Sequence, residues 1–97
     1  MIDITVVLTA NDPAKIAELK DLLSAHVNLS RAEPGCVRFE AYESQSVPAT
    51  FILIERWESQ SALDQHRTAT GFTTIYAPRV LPLVDRVPHI CQVLPGT

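Results

Sequence analysis

The stretch Thr50 to Trp57, TFILIERW, constrains the fold more than any other part of the chain. Strand side chains alternate, so Phe51, Leu53 and Glu55 fall on one side and Ile52, Ile54 and Arg56 on the other. Both sides of the centre are apolar, and both need cover. Such a strand belongs in the middle of a sheet. Cys36 to Glu43 (CVRFEAYE) alternates as well, and Ser44 to Ala49 (SQSVPA) between the two runs reads as a loop. Together they read as a hairpin with a moderately long connection.

The remaining elements follow from period and punctuation. Ile2 to Thr9 alternates, with Ile2, Ile4, Val6 and Leu8 on one side, which predicts a strand. Asp12 is an N-cap and Pro13 a first helical residue, where its missing N–H costs nothing. Ile16, Leu19, Leu22, Leu23, His26 and Val27 then recur at helical spacing as one buried stripe, leaving Lys15, Glu18 and Asp21 outside it. The helix fades near Ser30 to Ala32, because Pro34-Gly35 does not continue it. Ser59 caps a second helix on which Leu63 and His66 share a face, while Asp64 and Arg67 form a solvent-facing pair on another side. Thr70-Gly71 interrupts. Phe72 to Val84 is helix-like, but Pro78 and Pro82 each delete a donor and predict short or kinked pieces. Val87 to Leu94 reads as a last strand, with Pro88 implying an edge position or a late start.

The order β-α-β-β-α-β gives an α+β class and a ferredoxin-like fold: a four-stranded antiparallel sheet, strand order 4-1-3-2, with helices on one face. Residues 1–97 form a single domain. The helix-free face of the sheet would then expose apolar side chains, which predicts a homodimer packed sheet to sheet. In this order Cys36 and Cys91 lie on opposite edges, about 14 Å apart at ~4.8 Å per strand, too far for a disulfide.

Composition excludes several functions. Hydrophobic content of 46%, charged content of 20% and a net charge of -3 suit a folded domain and provide no basic patch for nucleic acid. No apolar run approaches a membrane span, and Met1 leads into a strand pattern rather than a signal peptide, which points to a cytoplasmic protein. The chain has no CxxC, HExxH, GxSxG or phosphate-cradling glycine loop, and its three glycines cannot build a nucleotide-binding turn. An enzyme of this composition is expected to work with no metal and no nucleotide cofactor.

EPGCVRFEAY (Glu33 to Tyr42), FILIERWESQSALDQHRTATGF (Phe51 to Phe72) and LPLV (Leu81 to Val84) resemble the antibiotic biosynthesis monooxygenase family of dimeric α+β barrels. The resemblance runs through nearly the whole chain in order and spacing. It implies the same ferredoxin-like fold, a homodimer, and a pocket between sheet and helices. For some members it also implies oxygenation of aromatic polyketides or quinols without metal or cofactor. Members that degrade haem pair a tryptophan and a helix histidine with an asparagine on the first strand. Trp57 and His66 match in type, but the first strand has Thr5, Val6 and Val7, and Asn11 lies beyond it, so haem degradation is disfavoured.

The implied reaction is oxidation of a small electron-rich aromatic, a hydroquinone or a polyphenol or polyketide, by dioxygen. His66 would be the base, with Trp57, Phe72, Tyr76 and Phe39 lining the substrate pocket. Each has a plainer explanation: Trp57 closes a strand end, His66 is structural, and the other aromatics are core. His26 reads as a core-rim histidine, with a ligand role as the alternative. Tyr42 and Arg79 read as surface or interface residues, and Glu40 and Glu55 as partners of Arg38 and Arg56 in inter-strand or dimer ion pairs. Two further functions stay open: a dimeric small-ligand-binding protein without turnover, and an isomerase of a small carbonyl compound.

Overall fold

A computed structural model describes residues 1–97. Its strands are β1 (Ile2–Ala10), β2 (Cys36–Glu43), β3 (Thr50–Trp57) and β4 (Val84–Cys91); its α-helices are α1 (Ile16–Arg31) and α2 (Gln60–His66). A π-helical segment, Phe72–Val80, and a 3-10 turn, Leu81–Leu83, lead into β4. The sheet runs β2-β3-β1-β4, every pair antiparallel, as expected for the ferredoxin-like α+β fold. Ile4, Val6 and Leu8 of β1 and Phe51, Leu53 and Trp57 of β3 point inward onto Leu19, Leu22, Leu23 and Val27 of α1, forming one buried core.

Local chemistry sets the joins. The Asp12 side chain accepts from the Ala14 amide at 3.0 Å, and Pro13 opens the 3-10 turn that runs into α1. After α1, Pro34-Gly35 turns the chain into β2. Gly35 has φ +80°, and a Cβ there would lie 2.5 Å from Ala62 Cβ of α2, so glycine is needed both for the backbone angle and for the approach. The Gly35 carbonyl accepts from the Glu58 amide at 2.9 Å. This turn is therefore fastened to the entrance of α2.

Four expectations need correction. Thr70-Gly71 does not interrupt: Gly71 has helical φ of -60°, and a Cβ there would lie 3.2 Å from His26 Nδ1, so its absence leaves room for the His26 ring. β4 starts at Val84 rather than Val87 and places Pro88 opposite Val6, which the open outer edge of this strand tolerates. Asp64 accepts from Gln60 Nε2 at 2.9 Å rather than pairing with Arg67. Arg56 pairs with Asp3 of β1 at 2.7 Å and Arg38 with Glu40 of its own strand at 2.8 Å, while Glu55 turns inward.

Tyr42 is exposed and donates to Glu40 at 2.8 Å, and Arg79 lies 3.9 Å from Glu18 at the surface. Cys36 and Cys91 are free thiols on opposite edge strands. The helix-free face carries Val7, flanked by Ile52 on β3 and Val87 on β4, with Thr5 against Ile54 beside them. No helix is long and apolar enough to cross a membrane.

Candidate functional site

Alternation along β3 turns its last two inward residues, Glu55 and Trp57, toward the helix layer, and both are buried. The indole Nε1 donates to Glu55 Oε1 at 3.0 Å, which satisfies a donor that burial would otherwise orphan. Ser59 then caps α2 by accepting from the Ala62 amide at 3.1 Å, and the helix carries His66 back over the strand end. The His66 and Trp57 rings lie 4.4 Å apart at 32°. Phe39 of β2 approaches His66 at 5.6 Å, and Phe72 meets it edge-on at 5.6 Å. Tyr76 joins through Phe72 at 5.3 Å. The five residues singled out from the sequence form one aromatic cluster.

Glu33 and Arg86 also belong to the site and were not expected there, and His26 lies deeper than expected. His26 is not at the core rim: it is 1% exposed, stacks on Tyr76 at 4.7 Å, and lies 5.6 Å from His66. Its place on the apolar stripe of α1 was the available signal. Glu33 Oε1 lies 2.7 Å from His66 Nδ1, and the fastened Pro34-Gly35 turn delivers it there. Arg86 of β4 donates from Nε to the Tyr76 hydroxyl at 2.9 Å. Three buried polar atoms have no partner: His26 Nδ1, Ser30 Oγ and Glu33 Oε2.

Removal from water dominates the electrostatics. Burial pushes the His66 imidazole down to about 4, aided by the neighbouring Arg67 cation. Burial, with some repulsion from His66, takes His26 to about 4 as well. Burial pushes the Glu33 carboxyl up to about 7 and raises Glu55 and the Tyr76 phenol. Both imidazoles are thus neutral near pH 7. The Glu33–His66 contact then holds one hydrogen, donated either by the carboxyl or by ring Nδ1.

Between these groups lies a cavity of about 30 Å³, lined by His26, Glu55, His66, Arg67, Phe72, Tyr76 and their neighbours Ile4, Leu63 and Arg86. Trp57 and Phe39 do not border it. Both were expected to line the substrate pocket with Phe72 and Tyr76; Trp57 instead backs the His66 ring. The space suits about one water, so a ring-sized ligand requires movement of the Phe72 and Tyr76 side chains. No group of three or more His, Cys, Asp or Glu side chains is arranged to hold a metal ion.

The shifts carry a pH signature. Each histidine, held near 4 in the fold against 6.5 when free, supports stability above pH 6.5 and loses that contribution as pH falls toward 4. Glu33, raised from 4.5 to about 7, supports stability below pH 4.5 and loses it as pH rises through 7. In a nitrogen-15 NMR titration, the rings of His26 and His66 should each stay neutral, with one ring nitrogen protonated and one bare, from pH 8 down to about 5. Protonation of either near 6.5 would contradict this account of their burial.

The sequence pattern of the antibiotic biosynthesis monooxygenase family matches residues 1–77. Rv0793 of Mycobacterium tuberculosis, named a candidate monooxygenase, is 35% identical over 74 residues, 76% of this chain and 71% of that protein. Its solved structure matches with a TM-score of 0.83 at 27% identity, covering 97% of this chain and 96% of the other. The uncharacterised protein sll1783 of Synechocystis sp. is 35% identical over 54 residues, 56% of this chain; the match spans only 37% of that relative's length. A crystal structure described as an antibiotic biosynthesis monooxygenase matches with a TM-score of 0.88 at 25% identity, covering 98% of this chain and 100% of its own. The chain belongs to the antibiotic biosynthesis monooxygenase family.

Proposed function

We propose that the protein is a cofactor-independent monooxygenase that oxidises a small electron-rich aromatic, a hydroquinone or polyphenol, with dioxygen. The observation that carries this reading is a buried, neutral imidazole, His66, tied at Nδ1 to Glu33 and walled by Trp57, Phe39 and Phe72. Family membership and the candidate monooxygenase Rv0793 support it.

The chemistry needs little more than this. Ground-state dioxygen is a triplet and reacts slowly with closed-shell molecules, but a phenolate can give it one electron. His66 takes the phenol proton, and the phenolate reduces dioxygen to superoxide. The two radicals combine at a ring carbon as a peroxide anion, which takes the proton back from the His66 imidazolium to become a hydroperoxide. Loss of water leaves one oxygen atom in the product as a hydroxyquinone, and the other departs in the water. All four electrons come from the hydroquinone, so the balance calls for no external reductant. Aromatic walls exclude water and keep the imidazole a free base near neutral pH. Phe72 and Tyr76 would contact the substrate face, and Trp57 and Phe39 would hold the histidine ring from behind.

Oxygen uptake with a panel of hydroquinones tests the reading. His66→Gln keeps an amide within reach of Glu33 but removes the base, and turnover should fall by ~10²–10⁴. Undiminished turnover per folded molecule, with folding checked by melting curves, would make His66 structural. Absence of uptake by the unaltered protein would favour a binding protein or an isomerase.

We also propose a homodimer through the helix-free sheet face, where Val7, Ile52, Ile54 and Val87 form an apolar strip. Half-buried isoleucines at the centre of a sheet favour a second layer of cover. Light scattering at low micromolar concentration should return about twice the 10.7 kDa of one chain. A single-chain mass would remove the proposal.

A further inference from the structure

We propose that Glu33 is a positioning residue that selects which ring nitrogen of His66 carries the hydrogen, and so switches His66 between hydrogen-bond donor and proton acceptor toward the cavity. The proposal rests on the reading of His66 as a base and deepens it.

The geometry leaves few alternatives for the contact. Glu33 Oε1 is 2.7 Å from His66 Nδ1, while Oε2 is buried without a partner, so the nitrogen is the carboxyl group's one polar neighbour. The main chain that carries the carboxyl is held in place by three contacts. The Glu33 amide donates to the Ser30 carbonyl at 3.1 Å, the Cys36 amide donates to the Glu33 carbonyl at 3.2 Å, and Gly35 abuts Ala62 of α2. His66 is clamped in turn by the Trp57 and Phe72 rings. The turn and the ring are thus both fixed at the places that bring Oε1 and Nδ1 together.

A neutral imidazole has one N–H. When Glu33 is a carboxylic acid, it donates to Nδ1, and the ring hydrogen must sit on Nε2, where it cannot accept a proton. When Glu33 is a carboxylate, it accepts from Nδ1–H, and Nε2 is bare. Only the second state can break the substrate O–H bond: the proton moves to Nε2, the electron pair stays on the phenolate oxygen, and the imidazolium is balanced by the Glu33 carboxylate at 2.7 Å. Orientation of a catalytic histidine by a buried carboxylate on its far nitrogen follows the same logic as in hydrolase triads.

Burial places the Glu33 ionisation at about 7, so the switch falls in the working range. The ionisable groups around the pair are His26 of α1, Cys36 of β2, Glu55 of β3 and the adjacent Arg67. Of these, the Arg67 cation favours the carboxylate state and the Glu55 carboxyl, where ionised, opposes it.

Nitrogen-15 NMR of histidine-labelled protein from pH 5.5 to 8.5 reads the hydrogen directly and needs no substrate. The unaltered protein should pass from the Nε2–H form to the Nδ1–H form near pH 7, and Glu33→Gln should abolish that passage. In oxygen uptake, Glu33→Gln should lower kcat by about 10²–10⁴ at pH 8 with little change in KM, and should remove the rise of kcat with pH. Glu33→Asp, which keeps the charge, should restore part of the pH-dependent rise. A His66 form that stays the same across the range in the unaltered protein would overturn the proposal, as would an unchanged passage in Glu33→Gln. If the passage is seen but His66→Gln turns over normally, the switch stands and the base reading falls.

Discussion

The hydrogen bond between Glu33 and His66 is the interaction on which the arrangement of this half of the molecule depends. It sets a carboxyl group against an imidazole that lies among aromatic rings, where an unpaired polar group costs several kcal/mol. Paired at 2.7 Å, the two can stay there, and each then fixes the element that carries it. Glu33 ties the end of α1 and the start of β2 to the last residue of α2. The Gly35 turn, with its positive φ and its contact on Ala62, allows the approach. Trp57 completes the support by packing its ring, tilted 32°, against that of the histidine and donating its own N–H to Glu55.

The rest of the site follows from the sheet. Inward alternation on β3 supplies Leu53, Glu55 and Trp57, and antiparallel pairing sets Phe39 of β2 opposite Glu55. On the other side, β1 carries Leu8 opposite Arg86 of β4, and Arg86 reaches the Tyr76 hydroxyl. The cavity at the meeting point is small in this state. Its outer wall is the Phe72–Val80 segment, where wide π-helical turns accommodate Pro78, a residue that an α-helix interior excludes. Room for a ring-sized ligand would therefore come from displacing Phe72 and Tyr76 rather than from an open pocket.

Most of this fold was legible because its signals are local. Two alternating runs around a loop give the β2–β3 hairpin, and a three- and four-residue apolar stripe gives α1. The apolar centre of β3 required a central position, which it occupies. Trp57, His66, Phe39, Phe72 and Tyr76 could be grouped in advance because the family resemblance and the chain order place them together. Glu33 could not, because its contact with His66 spans two elements and depends on how closely a glycine turn packs on a helix. Arg86 was missed for a question of register: a strand starting at Val87 leaves it outside the sheet, whereas one starting at Val84 turns it inward. His26 was placed correctly on its helical face, but its depth depends on the missing Cβ of Gly71, and no periodicity carries that information.

The most direct test of the central interaction is a double-mutant cycle in urea unfolding at pH 6, using Glu33→Gln and His66→Phe separately and together. Phenylalanine keeps a ring against Trp57 and Phe72 but removes Nδ1. A buried hydrogen bond on which both segments depend predicts a coupling energy of about 0.5–3 kcal/mol, with the double variant less destabilised than the sum of the two single ones. Effects that add within about 0.3 kcal/mol would show that the two residues sit side by side without holding each other, and would contradict the account.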